Sequence, residues 1–198
     1  MDQIVTLIGY RGSGKSTVAP ILARQLDCKW IDADVEIERR ADRTIQQIFE
    51  SGGESEFRTL ERVLMQELLS GPPLIIAAGG GAILNQATRT DMQDAGPVVW
   101  LTASDDELAK RISTDPTTGE RRPSLTGQNV EDEVAAVMKI RKPIYSQTAT
   151  LQIATEGQTA EQIADRILAA IPNGQLFNKS TAATDQITGD SASGDRPC

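Results

Sequence analysis

The densest chemistry in this sequence lies in Gly9-Tyr-Arg-Gly-Ser-Gly14-Lys15-Ser16-Thr17. It fits Gly-x-x-x-x-Gly-Lys-(Ser/Thr), the spacing at which a loop wraps a polyphosphate. Glycines let the backbone close around the anion, and successive N–H groups and the following helix N-terminus point at its oxygens. In that arrangement Lys15 bridges the terminal phosphates, and the Ser16 hydroxyl ligates a magnesium ion. A glycine-rich turn with a chance lysine is the alternative. An apolar run before the motif and a helical pattern after it favour phosphate binding.

Asp32-Ala-Asp34 follows a second apolar run, Lys29 to Ile31. Ligands of an open α/β sheet bind outside the carboxyl ends of the strands, which puts both carboxylates beside the phosphate loop. Asp32 could reach the magnesium or its waters; Asp34 could orient an acceptor hydroxyl or take its proton. Asp34 also opens a helical pattern, where Asp serves as an ordinary N-cap. Gly79-Gly80-Gly81 ends the third apolar run and permits close backbone approach to a ligand; a flexible connection is the plainer use. Arg58, Arg121, Arg122 and Arg141 are separated cations. Each alone reads as a solvated charge, and Arg58 has Glu54 and Glu61 at helical spacing. Arg122-Pro123 lies in an irregular stretch, where a closing lid can bring a guanidinium to a transferred phosphoryl group.

The elements that must position these groups are legible in outline. Apolar runs at 4–8, 29–31, 74–78, 98–101 and 150–153 mostly lack period-2 alternation, as expected of strands covered on both faces. Helical patterns fill 16–26, 34–70, 86–94, 104–113 and 130–146. A last helix opens with the capping box Thr159 to Gln162 and carries Ile163, Ile167 and Ile171. Strand-helix alternation of this kind predicts an α/β fold with a parallel sheet. Residues 114–129 are irregular, and a loop that long inside a domain is usually functional. The composition beyond Pro172 predicts a disordered tail.

The 198 residues include no histidine, which excludes Ser-His-Asp and Cys-His centres and His-ligated zinc. Twenty-eight acidic against 20 basic residues, a net charge of −8, argue against non-specific binding to nucleic acid or an anionic membrane. Two cysteines form no disulfide framework. No signal peptide or spanning segment is read, so a cytoplasmic chain is expected, with no long apolar stripe demanding more than a monomer.

In order and at nearly the family's spacing, GSGKST, Asp32-x-Asp34, Phe57-Arg58, Gly79-Gly80-Gly81, Arg122-Pro123 and Arg141-x-Pro143-x-Tyr145 resemble shikimate kinase, from residue 3 to about 171. The resemblance implies a P-loop kinase, nucleoside monophosphate kinase-like, with a central five-stranded parallel sheet flanked by helices. Its domain would span 1–172, with a mobile lid at about 114–128 and a tail at 173–198. The implied reaction moves the ATP γ-phosphoryl group to the 3-hydroxyl of shikimate, a step toward chorismate and the aromatic amino acids. Gly12, Ser13, Gly14, Lys15, Ser16 and Thr17 would cradle ATP, and Ser16 with Asp32 would hold Mg2+. Lys15, Asp34 and Arg122 would be catalytic, Arg122 being the lid arginine that contacts ATP. Asp34, Arg58, Gly79, Gly80, Gly81 and Arg141 would bind shikimate, the two arginines gripping its carboxylate. Phe49 and Phe57 also match positions near the substrate.

The chain departs from the resemblance at 155–158, which hold no basic residue where relatives place an arginine near adenine, and at the lid sequence Arg122-Pro-Ser-Leu125. Two other readings remain: a gluconate or nucleoside monophosphate kinase of the same architecture, or a nucleotide-binding regulatory module without catalysis.

Overall fold

The computed structural model describes residues 3–114 and 129–171. Its frame is an all-parallel sheet of β1 (Val5–Ile8), β2 (Lys29–Asp32), β3 (Leu74–Ala77), β4 (Val98–Thr102) and β5 (Leu151–Ala154) in the order β2-β3-β1-β4-β5. The helices are α1 (Lys15–Leu26), α2 (Ala33–Ala41), α3 (Ile45–Leu69), α4 (Gln86–Ala95), α5 (Asp105–Thr114), α6 (Val130–Thr148) and α7 (Ala160–Ala170). On one face of the sheet Val5, Leu7, Ile75, Val99 and Ile153 pack with Val18 and Leu22 of α1 and Ile163 and Ile167 of α7. On the other, Ile8, Ile76 and Trp100 pack with residues of α2 to α6, among them Ile37, Phe57, Met92, Leu108 and Tyr145. Both faces are apolar, which is why the central strands show no alternation. β2 and β5 are the edges, and their residues are more exposed.

The register brings the functional segments together. Leu7 pairs with Ala77, and Ala77 with Asp32, so the residues after β1, β2 and β3 emerge side by side at the carboxyl edge. That is where an open parallel sheet binds ligands.

The helical pattern at 34–70 is not one helix. α2 stops at Asp42, whose φ of 50° is left-handed, and α3 restarts at Thr44. Thr44 and Gln47 form a reciprocal capping box, Gln47 N–H donating to Thr44 Oγ1 at 3.2 Å and Thr44 N–H to Gln47 Oε1 at 2.8 Å. Apolar spacing ran on across the break, so periodicity hid what capping decides. α3 also kinks at Gly53, where φ 69° and ψ −171° are open to glycine alone. Arg40 ties the two helices, reaching Glu36 at 2.7 Å and Glu67 at 2.6 Å. Hydrogen bonds from Arg39 and Arg40 hold the Glu36 carboxyl down to about 2.

Replacing the cap by Thr44→Ala should destabilise the protein by about 1 kcal/mol, lowering Tm by roughly 2–4 °C in a thermal melt. An unchanged Tm would show that Thr44 does not set this helix start.

The expected lid, beyond Thr114 at the end of α5, and the expected tail lie outside the described residues. Among the described residues no helix is long and apolar enough to cross a membrane.

Candidate active site

The loop from β1 to α1 is shaped by its backbone. Gly9 has φ 145°, and a Cβ there would sit 2.7 Å from the Leu101 carbonyl oxygen, so no side chain fits where β1 turns past β4. Ser13 N–H bonds the Tyr10 carbonyl at 3.1 Å, and Gly14, at φ 94°, caps α1 without any side-chain oxygen. The first N–H groups of α1 therefore meet no capping side chain at Gly14, the arrangement that suits an anion. Lys15 is only 9% exposed, and its Nζ donates to the carbonyls of Gly9 at 2.8 Å and Tyr10 at 3.0 Å.

Asp32 uses both carboxylate oxygens. Oδ1 accepts from the N–H groups of Asp34 (3.0 Å) and Val35 (3.3 Å), and Oδ2 accepts from Ser16 Oγ at 2.5 Å. The N-cap of α2 is thus Asp32, and Asp34 stands in the first helical turn. Among the described residues no group of three or more metal-ligating side chains occurs. A Mg2+ ion that keeps water and phosphate ligands needs only one or two protein oxygens. The touching Ser16 and Asp32 oxygens are hard donors of the right kind, and they fit it.

Gly12, Ser13, Gly14, Lys15, Ser16, Thr17, Asp32, Asp34 and Gly80 all line one cavity of about 730 Å³. Arg58 and Arg141 converge on the glycine turn beside it. A Cβ on Gly81 would clash with the Arg58 guanidinium, and Arg141 Nη1 donates to the Gly80 carbonyl at 3.1 Å. Tyr145 also donates to that carbonyl, at 2.6 Å. Gly79 precedes them at the end of β3, where its carbonyl accepts from Ala82 N–H. The ion pairs expected from helical spacing are present, Arg58 reaching Glu61 at 2.6 Å and Glu54 at 3.1 Å. Burial works against the Arg58 charge, but Glu61 and Glu54 outweigh it and raise the guanidinium above its ordinary pKa. Phe57 is fully buried in the core, 5.2 Å from Phe49 between ring centroids. Arg122 lies outside the described residues.

Several cavity residues carried no role in the sequence, Arg11 and Arg111 among them. Arg111 on α5 donates to Thr155 Oγ1 at 3.0 Å and to the Gly12 carbonyl at 3.3 Å. Its spacing from Glu107, an ion pair at 2.8 Å, makes it read as a surface charge. Arg111 thus sets a guanidinium beside Thr155, in the segment 155–158 that itself holds no basic residue. Arg111, Thr155 and Gln158 line the cavity together with the phosphate loop.

The comparisons with known proteins agree with this geometry. The family described as shikimate kinase matches residues 11–172. A shikimate kinase of Rhodopirellula baltica is 42% identical over 171 residues, covering 86% of this chain and 91% of that protein. One of Thermobifida fusca is 42% identical over 170 residues, covering 85% and 95%. The structure of shikimate kinase from Acinetobacter baumannii in complex with shikimate superposes with a TM-score of 0.82 at 36% identity, covering 89% of this chain and 97% of that one. With a phosphate loop, an aspartate pair and two arginines gathered at one sheet edge, and this likeness along most of its length, the chain belongs to the shikimate kinase family.

Proposed function

We propose that this chain is an ATP-dependent kinase that phosphorylates the 3-hydroxyl of shikimate, yielding shikimate 3-phosphate and ADP. The observation that carries the reading is the pair of guanidinium groups on adjacent glycines, Arg141 at the Gly80 carbonyl and Arg58 against Gly81, beside a cavity that also holds Lys15 and Asp34. A compact carboxylate with neighbouring hydroxyls suits such a wall, because guanidinium forks bind carboxylates with charge-assisted hydrogen bonds. Gluconate also carries a carboxylate and a nucleoside monophosphate carries phosphate, so both serve as controls. The family match over residues 11–172 supports a single catalytic domain at 1–172. We take the chain as a monomer, and an ATP-consuming step suits the cytoplasm. Neither nucleic acid nor membrane is needed as a partner.

The roles we assign join the sequence pattern to the cavity lining. The N–H groups from Gly12 to Thr17 receive the ATP phosphates, and the Arg111 end of the cavity is left for the base. Lys15, now holding loop carbonyls, turns its ammonium to the terminal phosphates. Ser16 and Asp32 would hold Mg2+ by their oxygens, and the ion would supply charge neutralisation at the phosphates. Asp34 accepts the hydrogen bond of the acceptor hydroxyl and takes its proton as that oxygen bonds to the γ-phosphorus and the bond to ADP breaks. Gly79, Gly80 and Gly81 let the substrate approach the backbone, and Arg58 and Arg141 grip its carboxylate. Arg122 adds a guanidinium to the transferred group. Phosphoryl transfer asks mainly for this positioning and charge stabilisation.

The glycine turn gives its own prediction. In Gly81→Ala the new Cβ meets the flexible end of Arg58, so the fold survives while the guanidinium moves. KM for shikimate should rise at least about tenfold, with KM for ATP changed less than about twofold. Unchanged steady-state kinetics would remove Arg58 from the acceptor site. The reading as a whole is tested by phosphorus NMR of the reaction mixture. A new phosphate monoester on the 3-oxygen of shikimate is expected, and phosphate released only to water would overturn it.

A further inference from the structure

Glu133 is a carboxylate buried to 1% exposure in the first turn of α6, and none of the roles above uses it. It reaches the phosphate loop. Arg11 Nη2 lies 2.5 Å from Glu133 Oε1, and the Tyr10 hydroxyl donates to the same oxygen at 3.4 Å. Arg11 is 17% exposed in its side chain and lines the cavity with Lys15. The loop motif accepts any residue at this place. An unpaired guanidinium here would add a second mobile cation beside Lys15, free to take phosphate oxygens in the ground state, where tighter binding adds nothing to turnover.

The Tyr10 ring extends the contact. The guanidinium carbons of Arg11 and Arg141 lie 5.7 Å and 5.9 Å from its centroid. Burial raises the Tyr10 phenol above its ordinary pKa; Glu133 adds to the rise, and Arg11 and Arg141 oppose it, so the hydroxyl stays a donor. The carbonyl of Tyr10 is also an anchor of Lys15. One buried carboxylate therefore acts on two consecutive residues of the loop, across 122 and 123 positions of sequence.

We infer that Glu133 is a positioning residue: its carboxylate holds the Arg11 guanidinium at the cavity wall, and through Arg11 and Tyr10 it keeps the phosphate loop in the geometry of transfer. The inference rests on the kinase reading above. Glu133→Gln keeps the shape and one acceptor oxygen and loses the charge. In the full chain its kcat with ATP and shikimate should fall about tenfold, with KM for shikimate within about twofold and KM for ATP unchanged or lower.

The decisive comparison adds Arg11→Met. If Glu133 works through Arg11, the charge change lowers kcat clearly less in the Arg11→Met background than in the wild type, the remainder passing through Tyr10. An equal loss in both backgrounds, or a loss that follows the folded fraction, would assign Glu133 a purely structural role and overturn the inference. Should Glu133→Gln alone fail to fold, the double variant, which removes both partners of the Arg11–Glu133 pair, is compared with Arg11→Met, and Glu133→Asp with the wild type. Partial kcat for Glu133→Asp at wild-type Tm supports positioning, and full kcat contradicts it. An active wild type with an unaffected Glu133→Gln overturns this inference alone; a wild type inactive on shikimate overturns the kinase reading and this with it.

Discussion

Lys15→Ala should lower kcat for shikimate phosphorylation by at least about 10³-fold while the chain remains folded. The size follows from place. Lys15 opens α1 within the phosphate loop, its ammonium is almost wholly buried, and the cavity it lines also holds Asp34. A fixed positive charge aimed at charge that develops on the transferred group lowers the barrier, whereas charge that binds ground and transition states alike does not. The same ammonium bonds the carbonyls of Gly9 and Tyr10, so its removal also loosens the loop. Circular dichroism and Tm separate the two effects. The fold should persist because both sheet faces are packed independently of Lys15, by Val18 and Leu22 on one side and Ile8 and Ile76 on the other. Near wild-type kcat in a folded Lys15→Ala variant would show that the loop does not handle the transferred phosphate.

The second large effect is selective. Arg58→Ala should raise KM for shikimate about 10- to 150-fold, the loss of a charge-assisted hydrogen bond worth roughly 1.5–3 kcal/mol. KM for ATP should stay within about twofold, because the phosphate loop is untouched. The substitution also takes an ion-pair partner from Glu61, which is buried. Destabilisation from a buried carboxylate that loses this cation would confuse the result. Arg58→Ala combined with Glu61→Gln removes that charge and should show the same selective rise. A parallel increase in both Michaelis constants would mean that Arg58 supports the fold and not the acceptor.

What the sequence disclosed and what it hid divide along physical lines. The phosphate loop is contiguous, and its chemistry depends on the order strand, glycine loop and helix, so its place at the cavity was legible in the sequence. The parallel sheet was legible because the central runs Val5–Ile8, Leu74–Ala77 and Val98–Thr102 are apolar on both faces. The break between α2 and α3 was not, because Ile37, Ile45 and Ile48 continue an apolar stripe across it while Asp42 and the Thr44 cap end and restart the helix. An ordinary N-cap was the plainer use open to Asp34, yet Asp32 takes that place, its Oδ1 accepting from the N–H groups of Asp34 and Val35.

Contacts made across the sheet edge left no local trace. Arg58 against Gly81, Arg111 on Thr155 and Glu133 on Arg11 join residues that only the fold brings together. Arg58 and Arg111 have acids at helical spacing and so resemble surface ion pairs. Glu133 follows two other acids at the start of α6, where such residues complement the helix dipole. Nothing in its spacing distinguishes the one that is buried.

This cavity is expected to move phosphate from ATP to one particular hydroxy acid. The most direct measurement is ADP release from ATP and Mg2+, with shikimate, gluconate or a nucleoside monophosphate as acceptor, or with none. ADP release that appears with shikimate alone is the predicted result. Release with gluconate or a nucleoside monophosphate and none with shikimate, or ATP binding without release under any of the four conditions, would contradict it.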